Sequence, residues 1–216
     1  MLMELNRCNH RFSVYRKFIA GWETWLDTNY PDLKEFSVLE VGSGSGGLSK
    51  EILKSAERRG LKVKIHLFDV DPQILERARE FIGADVGIHI ASETYLRALP
   101  MKQFDFVISL HVIHHIQPLA AALEALDQMI AVAKQGVYVV DLESRRFGVV
   151  FTWLWNTIFG VSKDLNHDGV LSMKRAYKAA AIDAHLRKFQ AANSFAFTVT
   201  RLRFFPYWVL SVVCGR

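Results

Sequence analysis

A run of glycines preceded by a carboxylate is the feature of this sequence with the clearest potential for chemistry. Residues 38–47 read Val-Leu-Glu-Val-Gly-Ser-Gly-Ser-Gly-Gly. Glycine lets a chain turn tightly and lets a ligand approach the backbone, because no Cβ stands in the way. Gly42, Gly44 and Gly47 satisfy the G-x-G-x-x-G spacing of dinucleotide-binding turns, and Asp69 follows where a ribose-binding acid would lie.

Glu40 distinguishes between two classes of ligand for this turn. It places a carboxylate at the end of an otherwise apolar strand, two residues before the first glycine. A pyrophosphate at the turn would be repelled by this group, since like charges interact strongly at low effective dielectric. A ligand with positive charge would be attracted to it. An NAD(P)-dependent oxidoreductase remains the alternative.

These residues resemble motif I of the class I S-adenosylmethionine-dependent methyltransferases, in which an acid and any one residue precede G-x-G-x-G. Glu40, Gly42, Gly44 and Gly46 match that pattern, and Ser43 lies between the glycines. S-adenosylmethionine carries an ammonium group and a sulfonium but no phosphate. The resemblance therefore implies that the protein binds S-adenosyl-L-methionine at this turn and releases S-adenosyl-L-homocysteine.

Later positions of the family pattern fall after the next strands. Asp69 ends the second strand and is followed by Val70, and the resemblance assigns the ribose hydroxyls to the Asp69 carboxylate. After the third strand the family has an acid near the adenine; here Ser92 takes that place, with Glu93 beside it. Leu110 ends the fourth strand, in the stretch that flanks the cofactor in this family.

Three histidines follow the fourth strand, where the resembling family has its transfer site. If the acceptor is a hydroxyl, a general base helps by removing its proton, and histidine has a suitable pKa. We expect His114 to be that base, with His111 as the second candidate and a hydrogen-bonded packing role as the alternative for each. No metal site is expected, because Val112 replaces the glutamate of H-E-x-x-H.

Hydrophobic periodicity predicts the elements that must position these residues. Strands are expected at 37–41, 63–68, 86–90, 104–110 and 136–142, and helices at 46–59, 72–82 and 118–133. Such alternation indicates a doubly wound, mainly parallel α/β sheet. Two β-rich runs, 195–203 and 207–213, are close enough to pair as an antiparallel hairpin at one sheet edge. With the resemblance, this predicts a Rossmann-like sheet of seven strands ending in that hairpin.

Aromatic segments outside the sheet are candidates for an acceptor pocket. Apolar residues at three- and four-residue steps predict an amphipathic helix over residues 11–28. The stretch 147–161 is lipophilic but shorter than a membrane span, so we expect a buried or lid segment, with membrane-surface contact as the alternative. A polar turn is expected at 164–169 and a helix at 173–190.

The resemblance implies how these segments are used within one domain of residues 1–216. Residues 1–32 would form a helical cap over the acceptor pocket, and residues 144–172 an insert or lid after the fifth strand. The aromatic residues that could line the pocket, with core packing as the alternative for each, are Tyr15, Phe18, Trp22, Trp153 and Trp155.

Composition and charge limit the remaining function classes. The chain has 216 residues, half of them apolar, which suits one globular domain. Residues 163–216 hold nine Lys/Arg against three Asp/Glu. A solvated basic face explains this excess, with an anionic substrate or a nucleic acid as the alternative; no basic run or RNA-binding signature supports nucleic acid. Two cysteines and a charged start favour a cytoplasmic protein.

The sequence thus predicts a methyltransferase acting on a small, apolar or aromatic acceptor, with O-methylation favoured. Segments 167–177 and 205–210 resemble a bacterial subgroup of small-molecule methyltransferases associated with polyketide-type pathways. Three alternatives stay open: an NAD(P)-dependent oxidoreductase, methylation of nucleic acid or protein, and a module that binds the cofactor without catalysis.

Overall fold

The elements of the fold follow one another much as the periodicity indicates. The computed structural model describes residues 2–83, 87–90, 99–191, 195–202 and 206–214. Two N-terminal helices, α1 (Leu2–Arg11) and α2 (Val14–Asn29), come first. Next come β1 (Glu35–Val41), α3 (Gly47–Arg58), β2 (Lys62–Asp69), α4 (Pro72–Ile82), β3 (Gly87–Ile90), β4 (Phe104–Leu110), α5 (Leu119–Val132) and β5 (Ala133–Leu142). Helices α6 (Gly148–Ile158), α7 (Lys163–Arg175) and α8 (Ala179–Gln190) precede β6 (Phe195–Arg201) and β7 (Tyr207–Cys214).

The described strands form one mixed sheet in the order β3-β2-β1-β4-β5-β7-β6. Strands β1 to β5 pair in parallel, whereas β7 is antiparallel to both β5 and β6. This confirms the predicted Rossmann-like α/β class with a mainly parallel sheet. The strand order reverses between β1 and β4, so a crevice forms beyond their carboxyl ends, where open α/β sheets bind ligands.

Helix α2 packs its aromatic face on the sheet. The Trp22 ring lies 5.3 Å from that of Phe106 in β4 and 5.7 Å from that of Tyr138 in β5, and Phe18 lies 5.2 Å from Tyr138. Phe18 and Trp22, which were expected at the acceptor pocket, are therefore core residues. The reason is the direct contact of α2 with the sheet, which turns this face inward.

The N-terminal helix differs from its prediction at its start. It was expected from residue 11, but α1 ends at Arg11 and α2 begins at Val14, with Ser13 between them at a φ of 58°. A left-handed residue ends the regular helical path, so the chain changes direction there. The change places α1 beside the carboxyl edge of the sheet, while α2 stays on the core.

The region after α6 departs from the sequence prediction in two respects. Ser162 caps α7, its Oγ accepting from the N–H of Leu165 at 3.4 Å, so residues 164–169 lie in a helix and not in a polar turn. The predicted helix at 173–190 is two helices, because the chain between them bonds to the end of β5. The N–H of Ser144 donates to the Tyr177 carbonyl at 3.0 Å, and the Glu143 carboxylate accepts from the N–H of Ala179 at 2.9 Å.

Candidate functional site

A cavity of about 800 Å³ lies at the carboxyl edge of the parallel strands. The turn after β1 and the segment after β4 contribute residues to its lining. Further lining residues come from helix α1, the start of α2, helices α6 and α7, and from Pro206 and Tyr207. A cleft of this size at a strand-order reversal is a typical small-molecule site.

The glycine turn presents its backbone to this cavity. Gly42 has a φ of +71°, and a Cβ there would lie 2.3 Å from Cγ2 of Val112, so no larger residue fits. Gly44 has a φ of +50° and no neighbouring atom within 4 Å of a built Cβ, so its backbone faces open space. Ser43 Oγ is buried and has no hydrogen-bond partner within the described residues. A ligand in the cavity can reach all three.

Glu40 is a buried acid on the cavity wall. Ser49 Oγ donates to its carboxylate. Burial raises the pKa of Glu40 to about 8, and the nearby Asp69 contributes, while the hydrogen bonds from Ser49 act against the shift. Near neutral pH the carboxyl group is therefore largely protonated. A cation placed beside it would favour ionisation and gain a buried partner charge.

Asp69 holds the glycine turn in place. Its Oδ2 accepts from the N–H of Gly44 at 2.8 Å and its Oδ1 from that of Val70 at 2.7 Å. Asp69, Val70 and Gly46 are not among the cavity-lining residues, and the Val70 side chain is exposed. Ser92 and Glu93, expected near an adenine, lie outside the described residues.

A buried histidine–aspartate pair lies on the same cavity. His114 belongs to a short 3-10 turn after β4, and Asp141 lies near the carboxyl end of β5. His114 Nδ1 is 2.6 Å from Asp141 Oδ1. The other carboxylate oxygen accepts from the backbone N–H groups of Val112, at 2.8 Å, and Ile113, at 2.6 Å. Asp141 thus fixes both the backbone of the turn and the imidazole ring.

The ionisation state of Asp141 determines which atom of the pair donates the hydrogen bond. Burial raises the pKa of Asp141, but the hydrogen bond from His114, the charges of His114 and His111 and the N–H of Leu142 outweigh burial and leave the pKa below its ordinary value. An ionised carboxylate only accepts hydrogen bonds, so His114 Nδ1 carries the hydrogen of this contact. Nε2 is buried without a hydrogen-bond partner in the described chain. The expectation that His114 is a general base stays a prediction, and this geometry is compatible with it.

His111 is a poorer base. It has a φ of 58°, an unusual conformation for a residue other than glycine, and its ring lies 4.9 Å from that of Tyr207. Burial lowers the pKa of His111 to about 4, although Asp141 opposes the shift. His111 is therefore neutral near neutral pH and binds a proton weakly. Of the two predicted candidates, His114 has the better geometry.

The other predicted residues divide between the cavity and elsewhere. Tyr15, Leu110 and Trp155 line the cavity, whereas Trp153 does not line it and is exposed to solvent. Asp141 was missed by the sequence analysis. Its signal is an acid at the carboxyl end of the apolar run Val-Tyr-Val-Val, the same signal that identified Glu40 on β1.

The comparison with protein families bears on the choice between the two ligand classes. The family model described as a methyltransferase domain matches residues 39–137, from the glycine turn through β4 and into β5. Residues 39–137, a little under half of the chain, are therefore assigned to a methyltransferase domain, in agreement with the resemblance to the S-adenosylmethionine-dependent enzymes. The match favours S-adenosylmethionine over a dinucleotide as the ligand of the glycine turn.

This methyltransferase is similar, over part of its length, to parts of two longer proteins. It is 34% identical over 76 residues to malonyl-[acyl-carrier protein] O-methyltransferase 1 of Ilyobacter polytropus, covering 35% of this chain and 27% of that protein. It is 24% identical over 163 residues to a polyketide synthase-nonribosomal peptide synthetase of Aspergillus clavatus, covering 70% of this chain and 4% of that protein. The chain thus spans 27% and 4% of the length of these two relatives.

A solved structure shares the fold over nearly the whole methyltransferase. This is the plantazolicin methyltransferase BamL in complex with triazolic desmethylPZN analog and SAH, with a TM-score of 0.69 and 14% identity, covering 99% of this chain and 90% of that chain.

The residues of the methyltransferase's own cavity fit S-adenosylmethionine. Glu40 offers a buried acid that a cation would ionise, Ser43 Oγ is an unpartnered polar group, and Gly44 leaves its backbone accessible. A cationic nucleoside without phosphate satisfies all three features.

Proposed function

We propose that this methyltransferase methylates a hydroxyl group on a small, apolar or aromatic acceptor, with His114 as the general base and Asp141 as its positioning residue. The observation that carries the proposal is the buried Nε2 atom of His114, which has no hydrogen-bond partner in the described chain, on an imidazole whose Nδ1 lies 2.6 Å from the Asp141 carboxylate. A histidine in this setting is suited to take a proton from a bound hydroxyl.

In the transfer step, His114 takes up the proton and Asp141 stabilises the resulting charge. When bound, S-adenosylmethionine supplies a methyl group on a cationic sulfur. His114 Nε2 accepts the hydroxyl proton while the acceptor oxygen bonds to the methyl carbon and the sulfur–methyl bond breaks, its electron pair remaining on sulfur. The positive charge then lies on the imidazole of His114, where the Asp141 carboxylate stabilises it.

The walls of the cavity support a small acceptor with apolar character. The rings of Phe12 and Phe159 pack at 5.6 Å, and those of Trp155 and Phe159 at 4.5 Å, and all three residues line the cavity. These belong to the proposed cap at residues 1–32 and to the proposed insert at 144–172. His114 is only 2% exposed, which favours an acceptor that enters the cavity over a nucleic acid or protein surface.

The proposed hydroxyl acceptor differs from a carboxylate acceptor in its need for a base. A carboxylic acid is already ionised near neutral pH, so its methylation gains nothing from a group that removes a proton. The buried pair of His114 and Asp141 therefore favours a phenol or alcohol. On the donor side, we propose contacts from Glu40, Gly42, Ser43, Gly44 and Leu110, with Asp69 and Gly46 supporting the turn.

The test is a methyl-transfer assay with labelled S-adenosylmethionine on a panel of phenols, alcohols and carboxylic acids. We expect turnover of a hydroxyl acceptor, and a fall in kcat of about 10²- to 10⁴-fold in His114→Asn with unchanged affinity for S-adenosylhomocysteine. His185→Asn is the matched control, because His185 pairs with Asp127 at 2.9 Å outside the cavity. Its kcat should equal that of the wild type.

The substitution Asp141→Asn tests the pair of His114 and Asp141 through its second residue. An amide can donate to Nδ1, which would place the imidazole hydrogen on Nε2 and remove the basic lone pair. We expect kcat to fall with loss of the pH dependence that the wild type shows on a hydroxyl acceptor. Unchanged turnover of hydroxyl acceptors in His114→Asn, or turnover of carboxylic acids alone, would contradict the proposal.

A further inference from the structure

Helix α6 has its apolar side facing outward. Its large apolar residues recur at helical spacing and are between 40% and 75% exposed. They are Phe147, Val150, Phe151, Leu154, Trp155 and Ile158, here called the outer stripe. The opposite side carries Thr152 and Asn156, which pack against Gly169 of α7. A surface helix of a globular protein normally has the reverse arrangement, so a water-facing stripe of this kind marks an interaction surface.

The charged residues around the outer stripe are mostly basic. Residues 144–163 contain three basic side chains and no acidic one. Arg145, Arg146 and Lys163 are all exposed. The Arg146 guanidinium lies 5.9 Å from the ring of Phe147. On the adjoining elements, Arg11 lies 5.8 Å from the ring of Phe159, whereas Asp164 is the exposed acid nearest in sequence.

Aromatic and aliphatic residues flanked by arginine and lysine are typical of helices that lie in a bilayer interface. The 11 residues of α6 span about 16 Å, against about 30 Å for the hydrocarbon core. In the described chain, no helix has the length and apolarity needed to cross a bilayer. The helix can therefore lie in the membrane plane, with its tryptophan rings at headgroup depth.

We propose that the outer stripe and its flanking basic residues dock this protein on the surface of a bilayer with anionic headgroups. The charge distribution favours this occupant over a second copy of the chain, because two copies facing each other would bring together basic residues of the same sign. Anionic headgroups complement Arg145, Arg146 and Lys163, and the acyl boundary accommodates the outer stripe.

The docking surface is continuous with the cavity. Phe151 and Trp155 belong to the outer stripe and also line the cavity. A docked molecule therefore opens its cavity toward the lipid, and an acceptor dissolved in the bilayer has a direct route to His114. This last step rests on the proposed function, whereas docking itself does not.

The test is co-sedimentation of the full chain with vesicles of phosphatidylcholine alone or mixed with phosphatidylglycerol. We expect about a hundredfold stronger partitioning to the anionic vesicles, weakening with added salt. The triple variant Phe147→Ser, Val150→Ser, Ile158→Ser changes outer-stripe residues that do not line the cavity. It should partition at least about tenfold more weakly, because it removes the three most exposed apolar side chains of the outer stripe.

The matched control is Phe81→Ser with Met101→Ser, which removes exposed apolar residues elsewhere and should bind vesicles like the wild type. Arg146→Glu with Lys163→Glu should lose the preference for anionic vesicles, a readout that does not depend on the fold of the triple variant. Two results would overturn the proposal. One is equal or absent vesicle binding in the wild type and the triple variant. The other is a dimer, seen by analytical ultracentrifugation, that the triple variant loses and the control keeps.

Discussion

The pKa values of two buried carboxyl groups of this protein are shifted in opposite directions. The pKa of Glu40 rises to about 8, whereas that of Asp141 falls below its ordinary value. Their partners explain the difference. Asp141 accepts from His114 and from three backbone N–H groups, while Glu40 has the hydroxyl and backbone of Ser49. Asp141 is thus an anion in the free protein, and Glu40 becomes one when a cation arrives.

This contrast predicts a proton release when S-adenosylmethionine binds. Because the cation lowers the pKa of Glu40, the wild type should release up to one proton near neutral pH, and its affinity should rise with pH up to about 8. Isothermal titration in buffers of different ionisation enthalpy measures both. Glu40→Gln should release no proton and bind more weakly. Glu143→Gln, a change to a buried acid that does not line the cavity, should behave like the wild type.

Unchanged proton release in Glu40→Gln would show that another group titrates, and would remove Glu40 from the proposed donor site. A wild type whose affinity falls as the pH rises would have the same effect, since the sign of the linkage would be reversed.

At the scale of elements, two neighbouring aspartates have separate tasks. Asp71 caps α4, its Oδ1 accepting from the N–H of Gln73 at 2.8 Å and of Ile74 at 3.4 Å. Asp69 ends β2 and holds the glycine turn through the N–H of Gly44. Asp71 stabilises the start of α4, and Asp69 stabilises the glycine turn at the edge of the cavity.

Alanine at each position should separate these tasks. Asp71→Ala should lower the free energy of unfolding by about 1 kcal/mol, because two N–H groups lose their acceptor, with no change in affinity for S-adenosylmethionine. Asp69→Ala should weaken that affinity, because the turn loses its anchor. Urea denaturation and isothermal titration measure the two effects. Equal loss of affinity in both variants would refute this division.

Helix ends that are marked by neighbouring residues could be predicted from the sequence. Helix ends that depend on contacts with residues far away in the sequence could not. Pro72 and Gly83 bracket α4 in the sequence, and the helix ends where they indicate. The break between α7 and α8 has no such signal. It arises because Glu143 and Ser144, at the end of β5, bond to residues 177 and 179. The outward side of α6 was missed for a similar reason, since composition alone cannot show which face a helix presents.

At the scale of the whole molecule, the candidate site combines segments that are distant in sequence. Glu40 and Gly42 are two residues apart, so their joint role could be inferred from the sequence. His114 and Asp141 are 27 residues apart and meet only because β4 and β5 are neighbours in the sheet. A strand register cannot be obtained from one sequence, so the partner of His114 emerged only with the fold.

Global stability should depend on pH through two of these buried groups. Glu40 has a raised pKa in the folded state, so its contribution is present below about pH 4.5 and is lost as the pH rises toward 8. His111 has a lowered pKa, so its contribution is lost as the pH falls from 6.5 toward 4. Of these two groups, only Glu40 changes the free energy of unfolding above about pH 6.5.

We therefore expect the free energy of unfolding to fall by about 2 kcal/mol between about pH 6.5 and pH 8 in the wild type without ligand. Glu40→Gln should abolish this decline, and Glu57→Gln, at an exposed acid, should preserve it. Urea denaturation across the pH range gives the measurement. A decline of equal size in Glu40→Gln would assign it to other groups.

The lining of the cavity comes from different stretches of the chain. The glycine turn and the histidine segment lie within residues 39–137, which the family model covers, whereas the lining residues of α1, α6 and α7 lie outside it. On the proposed function, mutations that remodel these helices should alter which compounds are accepted and leave the binding of S-adenosylmethionine unchanged. Selection or laboratory evolution for a new product would then change residues of α1, α6 and α7, while the residues at the carboxyl edge of the sheet stay the same.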